Sequence, residues 1–230
     1  MDHQENSKYS QNAYTVLTTE HSALASARAL INNEIFTRVS LYFTILSSLL
    51  IAAAFIAQID NSSRYFSLFM WIALPLLILI GFLTFSRVVV LGGMEVAFIR
   101  AMNRIRHFYL ISTPEIENFL LFPPYDDDES VFIFGGFSIN FSGNLLSTVT
   151  TINFTNSLLL TVSIGLLLNT YYGFHLNSYL PISIFVFFFS GITQSFLGVI
   201  LAKRASKTAT LTSQFPPPSQ DKNGTGSVLE

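Results

Sequence analysis

Four polar side chains recur at helical spacing in one short stretch. Arg100, Asn103, Arg104 and His107 stand at i, i+3, i+4 and i+7 within Glu95–Leu110, which reads EVAFIRAMNRIRHFYL. On a helix they share one face, and Phe98, Met102, Ile105 and Tyr109 share the opposite one. Guanidinium and imidazole groups gathered in this way bind phosphates and anionic lipid headgroups. A Lys or Arg beside an anionic leaflet gains about 1 kcal/mol. Arg100, Arg104, Arg106 and His107 are therefore the candidate anion ligands. The plainer reading is an interfacial helix held at a membrane surface by its positive charges.

Other chemistry finds little support in the sequence. His21 and His107 are far apart, and no HExxH or comparable ligand spacing is present. Asp126-Asp127-Asp128-Glu129 lacks the alternation and the glycine of a calcium loop and reads as a solvated acidic loop. The chain has no cysteine, so disulfides and thiolate metal sites are excluded. A net charge of −2 gives no reason to expect a nucleic-acid partner. No cofactor or metal is expected, and an enzyme is the less favoured class.

The elements that position these residues are apolar. Half of the 230 residues are hydrophobic and 11% are charged, against about 25% charged in a soluble protein. Ala13–Arg38 contains no Gly or Pro and repeats Leu17, Leu24 and Ile31 every seven residues, which predicts an amphipathic helix. Ser40–Ile59 is uncharged and long enough to cross about 30 Å of hydrocarbon. With no breaker between them, helix and span are expected to be continuous. Asp60–Arg64 is a turn, and Tyr65–Val90 is a second span with Pro75 inside it. Gly92-Gly93 then permits a bend before the basic stretch. Ser112 and Glu115 have capping-box spacing and predict a short helix to Leu121, and 123–144 reads as a loop. Leu145–Leu168 and Pro181–Ala202 are the third and fourth spans, and the Pro-rich tail is expected to lack structure.

The expected fold is thus all-α, an integral membrane four-helix bundle made of two helical hairpins. A cytoplasmic N-terminal helix extension and a central amphipathic helix complete it. The segments are an arm and amphipathic helix (1–38), hairpin 1 (39–91), a central cytoplasmic segment (92–144), hairpin 2 (145–203) and a tail (204–230). Every Lys and Arg except Arg64 falls on the side of the two termini, which the positive-inside rule places in the cytoplasm. Glu20, Arg28, Glu34, Arg38 and Glu95 would form a polar cluster on that side, the acids facing the central arginines. Asn153, Asn156 and Gln194 lie inside spans, where an amide either bonds to another helix or lines a polar cavity.

The segments EHSALASARALINNEIFTR, FTILSSLLIAAAFIAQ, LPLLILIGFLTFSR and NRIRHFYL resemble an uncharacterised family of small bacterial four-span membrane proteins, over residues 15–205. The resemblance implies a multi-pass protein of the bacterial plasma (inner) membrane and supplies no activity. The function expected from the sequence is a homo-oligomeric, channel-like or membrane-perturbing component, with the lipid bilayer and further copies of itself as partners. Two alternatives stand beside it: a binder or enzyme for anionic headgroups at the cytoplasmic face, and a membrane scaffold for a soluble partner.

Overall fold

The first proline is Pro75 and the first glycine is Gly81, so composition alone lets a helix run a long way from the N-terminus. The computed structural model describes residues 2–58, 63–135, 147–172, 176–208 and 213–217. Helix α1 (Asp2–Ala57) spans 56 residues, about 84 Å at the standard rise. It starts well ahead of the expected Ala13, because nothing between them stops propagation. Helix α2 (Ser63–Ser112) returns beside it. A 3₁₀ helix (Pro114–Phe119), α3 (Asp128–Gly135), α4 (Thr148–Tyr172) and α5 (Leu176–Thr208) follow. The described residues form an all-α bundle in which α1, α2, α4 and α5 are long and apolar enough to cross a membrane.

The second span and the basic stretch are one helix. Gly92-Gly93 does not bend α2 into two elements, although each glycine weakens a helix interior by about 1 kcal/mol. Packing against α1 along this length outweighs that propensity. Pro75 also lies inside α2, where it removes the bond to the Trp71 carbonyl. The expected capping box does not form. Ser112 is the last residue of α2, so its backbone is helical, and Thr113 precedes Pro114 without a side-chain cap. The region expected to be loop contains α3, and α5 begins at Leu176, ahead of Pro181. The turn at 59–62, the glycine-rich 136–146 and the end of the tail from 218 lie outside the described residues.

Helix α2 is the hub. It packs against α1, α4, α5, α3 and the 3₁₀ helix. In its most apolar window a third of the residues are buried, against 6% for α1. Two cores follow from this arrangement. In the apolar layer Tyr42, Leu74, Leu77, Phe85, Val88, Val89, Ile152 and Leu159 pack together. Farther along α2, Ile99, Met102 and Val131 form a second core with Leu24, Val96 and Phe122. The apolar face of the basic stretch therefore meets protein: Met102 and Ile105 are buried, and Tyr109 stacks on Tyr14 of α1 with centroids 6.0 Å apart.

Candidate functional site

The polar groups fall into two systems, one along the paired ends of α1 and α2 and one inside the apolar layer. The first is built on an antiparallel register that holds from Tyr14–Tyr109 through Arg28–Glu95 to Glu34–Arg87. Glu34 accepts from Arg38 Nε at 2.9 Å, one turn on, and from Arg87 Nε at 3.1 Å on α2. Those two arginines hold its carboxyl below the usual range. One step outward, Glu95 is buried and accepts from Arg28 Nε at 3.0 Å and Asn32 Nδ2 at 3.4 Å. His21 stands near this point, its pKa lowered by partial burial and then by the Arg106 charge. Arg106 is itself lowered by burial and by Arg28. It donates to Asn103 Oδ1 at 2.8 Å and lies over the Phe122 ring.

The basic face of α2 is covered by the acidic run. Arg104 Nε donates to Asp126 Oδ2 at 2.7 Å, Arg100 pairs with Asp128, and Asn103 Nδ2 donates to the Tyr125 carbonyl at 2.7 Å. The run is only in part the solvated loop expected: Asp128 and Glu129 are exposed, but Asp126 and Asp127 are engaged by the fold. Asp126 is 0% exposed. Asp127 Oδ2 accepts from the backbone N–H of Glu129 and Ser130 and so caps α3. Asp128 neutralises Arg100, and with Glu129 it sits in the first turn of α3, where negative charge is favoured.

Asp126 also holds the tail. Its carboxylate accepts from Ser213 Oγ at 2.9 Å, Gln214 N–H at 3.0 Å and Phe215 N–H at 2.8 Å. Its own N–H donates to the Phe215 carbonyl at 3.3 Å. Burial pushes this carboxyl up, but the Gln214 and Phe215 amides, with Arg104 and Ser213, outweigh it and bring it down to about 2. Phe215 stacks on His107 with centroids 4.5 Å apart. The tail is thus ordered at 213–217, against expectation, because these residues fill the hydrogen-bonding capacity of a buried carboxylate.

The second system joins three helices in the apolar layer. Tyr42 Oη of α1 donates to Asn156 Oδ1 of α4 at 2.8 Å. Asn156 Nδ2 donates to Gln194 Oε1 of α5 at 3.2 Å, and Gln194 Nε2 to Ser190 Oγ at 3.0 Å. Asn153 Nδ2 donates to Ser195 Oγ at 2.9 Å and to the Gly191 carbonyl at 3.1 Å. Gly81 makes room for this chain: a Cβ there would lie 2.0 Å from Asn156 Oδ1. The exposed hydroxyls of Thr151 and Thr155 bond back to carbonyls four residues earlier, so they need no polar neighbour. A cavity of about 370 Å³ reaches Asn156 and Gln194 between walls such as Ile78, Phe82 and Phe189. Another of about 270 Å³ lies between the start of α2 and the end of α4, lined by Phe66, Trp71, Pro75 and Asn169 among others.

The structure brings most of the expected site residues into these two systems. Arg100, Arg104 and His107 share the covered face, whereas Arg106 lies against Asn103 and Phe122 near Arg28. Arg28 and Glu95 pair, and Glu34 joins Arg38 to Arg87 rather than to the central arginines. Glu20 is exposed on α1 outside the cluster. Asn153, Asn156 and Gln194 are buried and bond between helices. Sequence reasoning missed Asp126, Phe215, Tyr42 and Gly81. The signals were faint: an acidic run of the sign needed to cover a basic face, and a lone aromatic ahead of prolines. Among the described residues no group of three His, Asp or Glu is placed to hold a metal ion. No protein-family model, curated protein or solved structure matches the chain.

Proposed function

We propose that the chain is a four-span membrane scaffold. Its paired α1 and α2 ends form a cytoplasmic stalk that presents a docking surface for a soluble partner protein. The observation that carries this reading is where apolar side chains remain uncovered. Phe119 and Leu121 are each 86% exposed, and Ile111 is 66% exposed. Ile111 lies in the last turn of α2, Phe119 and Leu121 follow its end, and Arg87 to Ser112 is about 37 Å of helix. Arg87, paired with Glu34 beside Arg38, marks the natural exit of the spans from lipid. Large apolar groups that far from lipid fit a protein partner. The distribution of Lys and Arg supports the cytoplasmic side. Resemblance to small bacterial four-span proteins supports the inner membrane as the setting. The headgroup-binding reading loses support, because Asp126 and Asp128 already engage Arg104 and Arg100.

A homo-oligomeric, channel-like assembly is the second reading. What favours it is the exposure of α1, whose most apolar window is only 6% buried and has room for another copy. Two measurements separate the readings. A photocrosslinking residue at Phe119 in cells should give one protein adduct, lost when Leu121 is changed to Ser. Purified protein in liposomes should give no ion flux above empty vesicles. Flux in liposomes together with no adduct at Phe119 would overturn the scaffold in favour of the channel.

A further inference from the structure

We propose that Asp126, Arg104 and His107 form a peptide-recognition site for a Ser-x-Phe-Pro segment bent at its two middle residues, occupied here in cis by Ser213–Pro217. The site lies apart from the exposed apolar tip and does not depend on the scaffold reading. Its contacts are those of a ligand site rather than of a chain end resting on a surface. Within three residues, a hydroxyl, two consecutive backbone N–H groups and one backbone carbonyl all find partners on Asp126. The third side chain adds a ring stack on His107. The hydroxyl and the aromatic give the selectivity, and the Gln214 position between them is exposed and open to any residue. Phe215 is the only aromatic beyond Phe196, so the tail offers a single register. Pro216 and Pro217 have a fixed φ, which lowers the ordering cost at the end of the segment.

The energetics favour exchange over vacancy. With the segment gone, Asp126 would keep Arg104 but lose three donors. The site therefore takes another segment of the same chemistry more readily than it stays empty. Five residues bury little area, so the intrinsic affinity is modest. The tether of four residues between Thr208 and Ser213 holds the tail in place at an effective concentration on the order of millimolar. A partner carrying the same pattern at comparable local concentration displaces it.

The absence of cysteine allows a direct test. Gln214→Cys in the full chain, spin-labelled in nanodiscs, reports tail mobility by its EPR line shape without altering the backbone N–H that Asp126 accepts. The probe is the synthetic peptide LTSQFPPPS, residues 211–219 of the chain. The immobilised component should convert to a mobile one as peptide is added. A peptide with Ala in place of Phe should need about tenfold more. Phe215→Ala in the chain, at an exposed position that leaves the helices untouched, should mobilise the label before any peptide is added. The proposal is overturned if the label is equally mobile with and without Phe215. It is also overturned if the peptide leaves the line shape unchanged, or if the Phe and Ala peptides act alike.

Discussion

Gly81 is the position where one added carbon tests the packing of α1, α2 and α4 together. A Cβ built there would sit 2.0 Å from Asn156 Oδ1 and 3.0 Å from both Asn156 Cγ and Tyr42 Oη. Gly81→Ala must therefore push Asn156 away or part the helices. Overpacking of this kind costs about 1–3 kcal/mol. Asn156 would also give up its bonds to Tyr42 and Gln194, at about 0.6 kcal/mol each for interhelical bonds in lipid. Alanine returns about 0.8–1.0 kcal/mol in helix propensity, so the net loss is about 1–3 kcal/mol. Reversible unfolding in mixed micelles, followed by circular dichroism, reads this directly. The sharper measurement is the double-mutant cycle with Asn156→Ala. That background removes the Asn156 atoms at 2.0 and 3.0 Å and leaves the end of the Tyr42 ring, so Gly81→Ala should become neutral or stabilising. An equal cost in both backgrounds, or no cost in the wild type, would refute the reasoning.

Gly92→Ala is the matching control. A Cβ there meets nothing within 4 Å, so the variant should stabilise α2 by up to about 1 kcal/mol in the same unfolding assay. Glu95→Gln removes the carboxylate that accepts from Arg28 and Asn32. A cost of about 1.5–3 kcal/mol is expected, read as faster hydrogen exchange along α1 between Val16 and Asn33. Asp126 has a folded-state pKa of about 2 against an ordinary 3.8, so its contribution is complete above 3.8 and is lost as the pH falls through about 2. The tail carrying the spin label at position 214 should stay immobilised from about pH 8 to 5 and release between about pH 4 and 2, with about 2 kcal/mol at stake. Release near about pH 6 would assign the transition to a histidine instead.

Much of the organisation was legible because lipid-compatible segments are written in composition and length. The uncharged run at Ser40–Ile59 and the absence of Gly and Pro before Pro75 are enough to predict a helix that continues into its span. The shared face of Arg100, Asn103, Arg104 and His107 follows from helical periodicity alone. Continuity across Gly92-Gly93 was not legible, because propensity argues for a break and only the flank supplied by α1 reverses it.

Charge partners divide in the same way. Sequence spacing presents Glu34–Arg38 as an i, i+4 pair, since both groups sit on one helix. The pairs Arg28–Glu95 and Arg104–Asp126 join positions far apart in the chain, and no local rule selects them. Asn153, Asn156 and Gln194 could be recognised as costly in an apolar segment. Whether they would line a cavity or bond to one another depended on the rotation of α4 against α5 and on the space left by Gly81. The sequence by itself determined which stretches are helical and apolar and where positive charge collects, because those properties are local sums over neighbouring residues. Tertiary structure alone decided that the acidic run covers the basic face and that Phe215 lies on His107. Such pairings depend on which helix faces meet in space, and no local pattern encodes that.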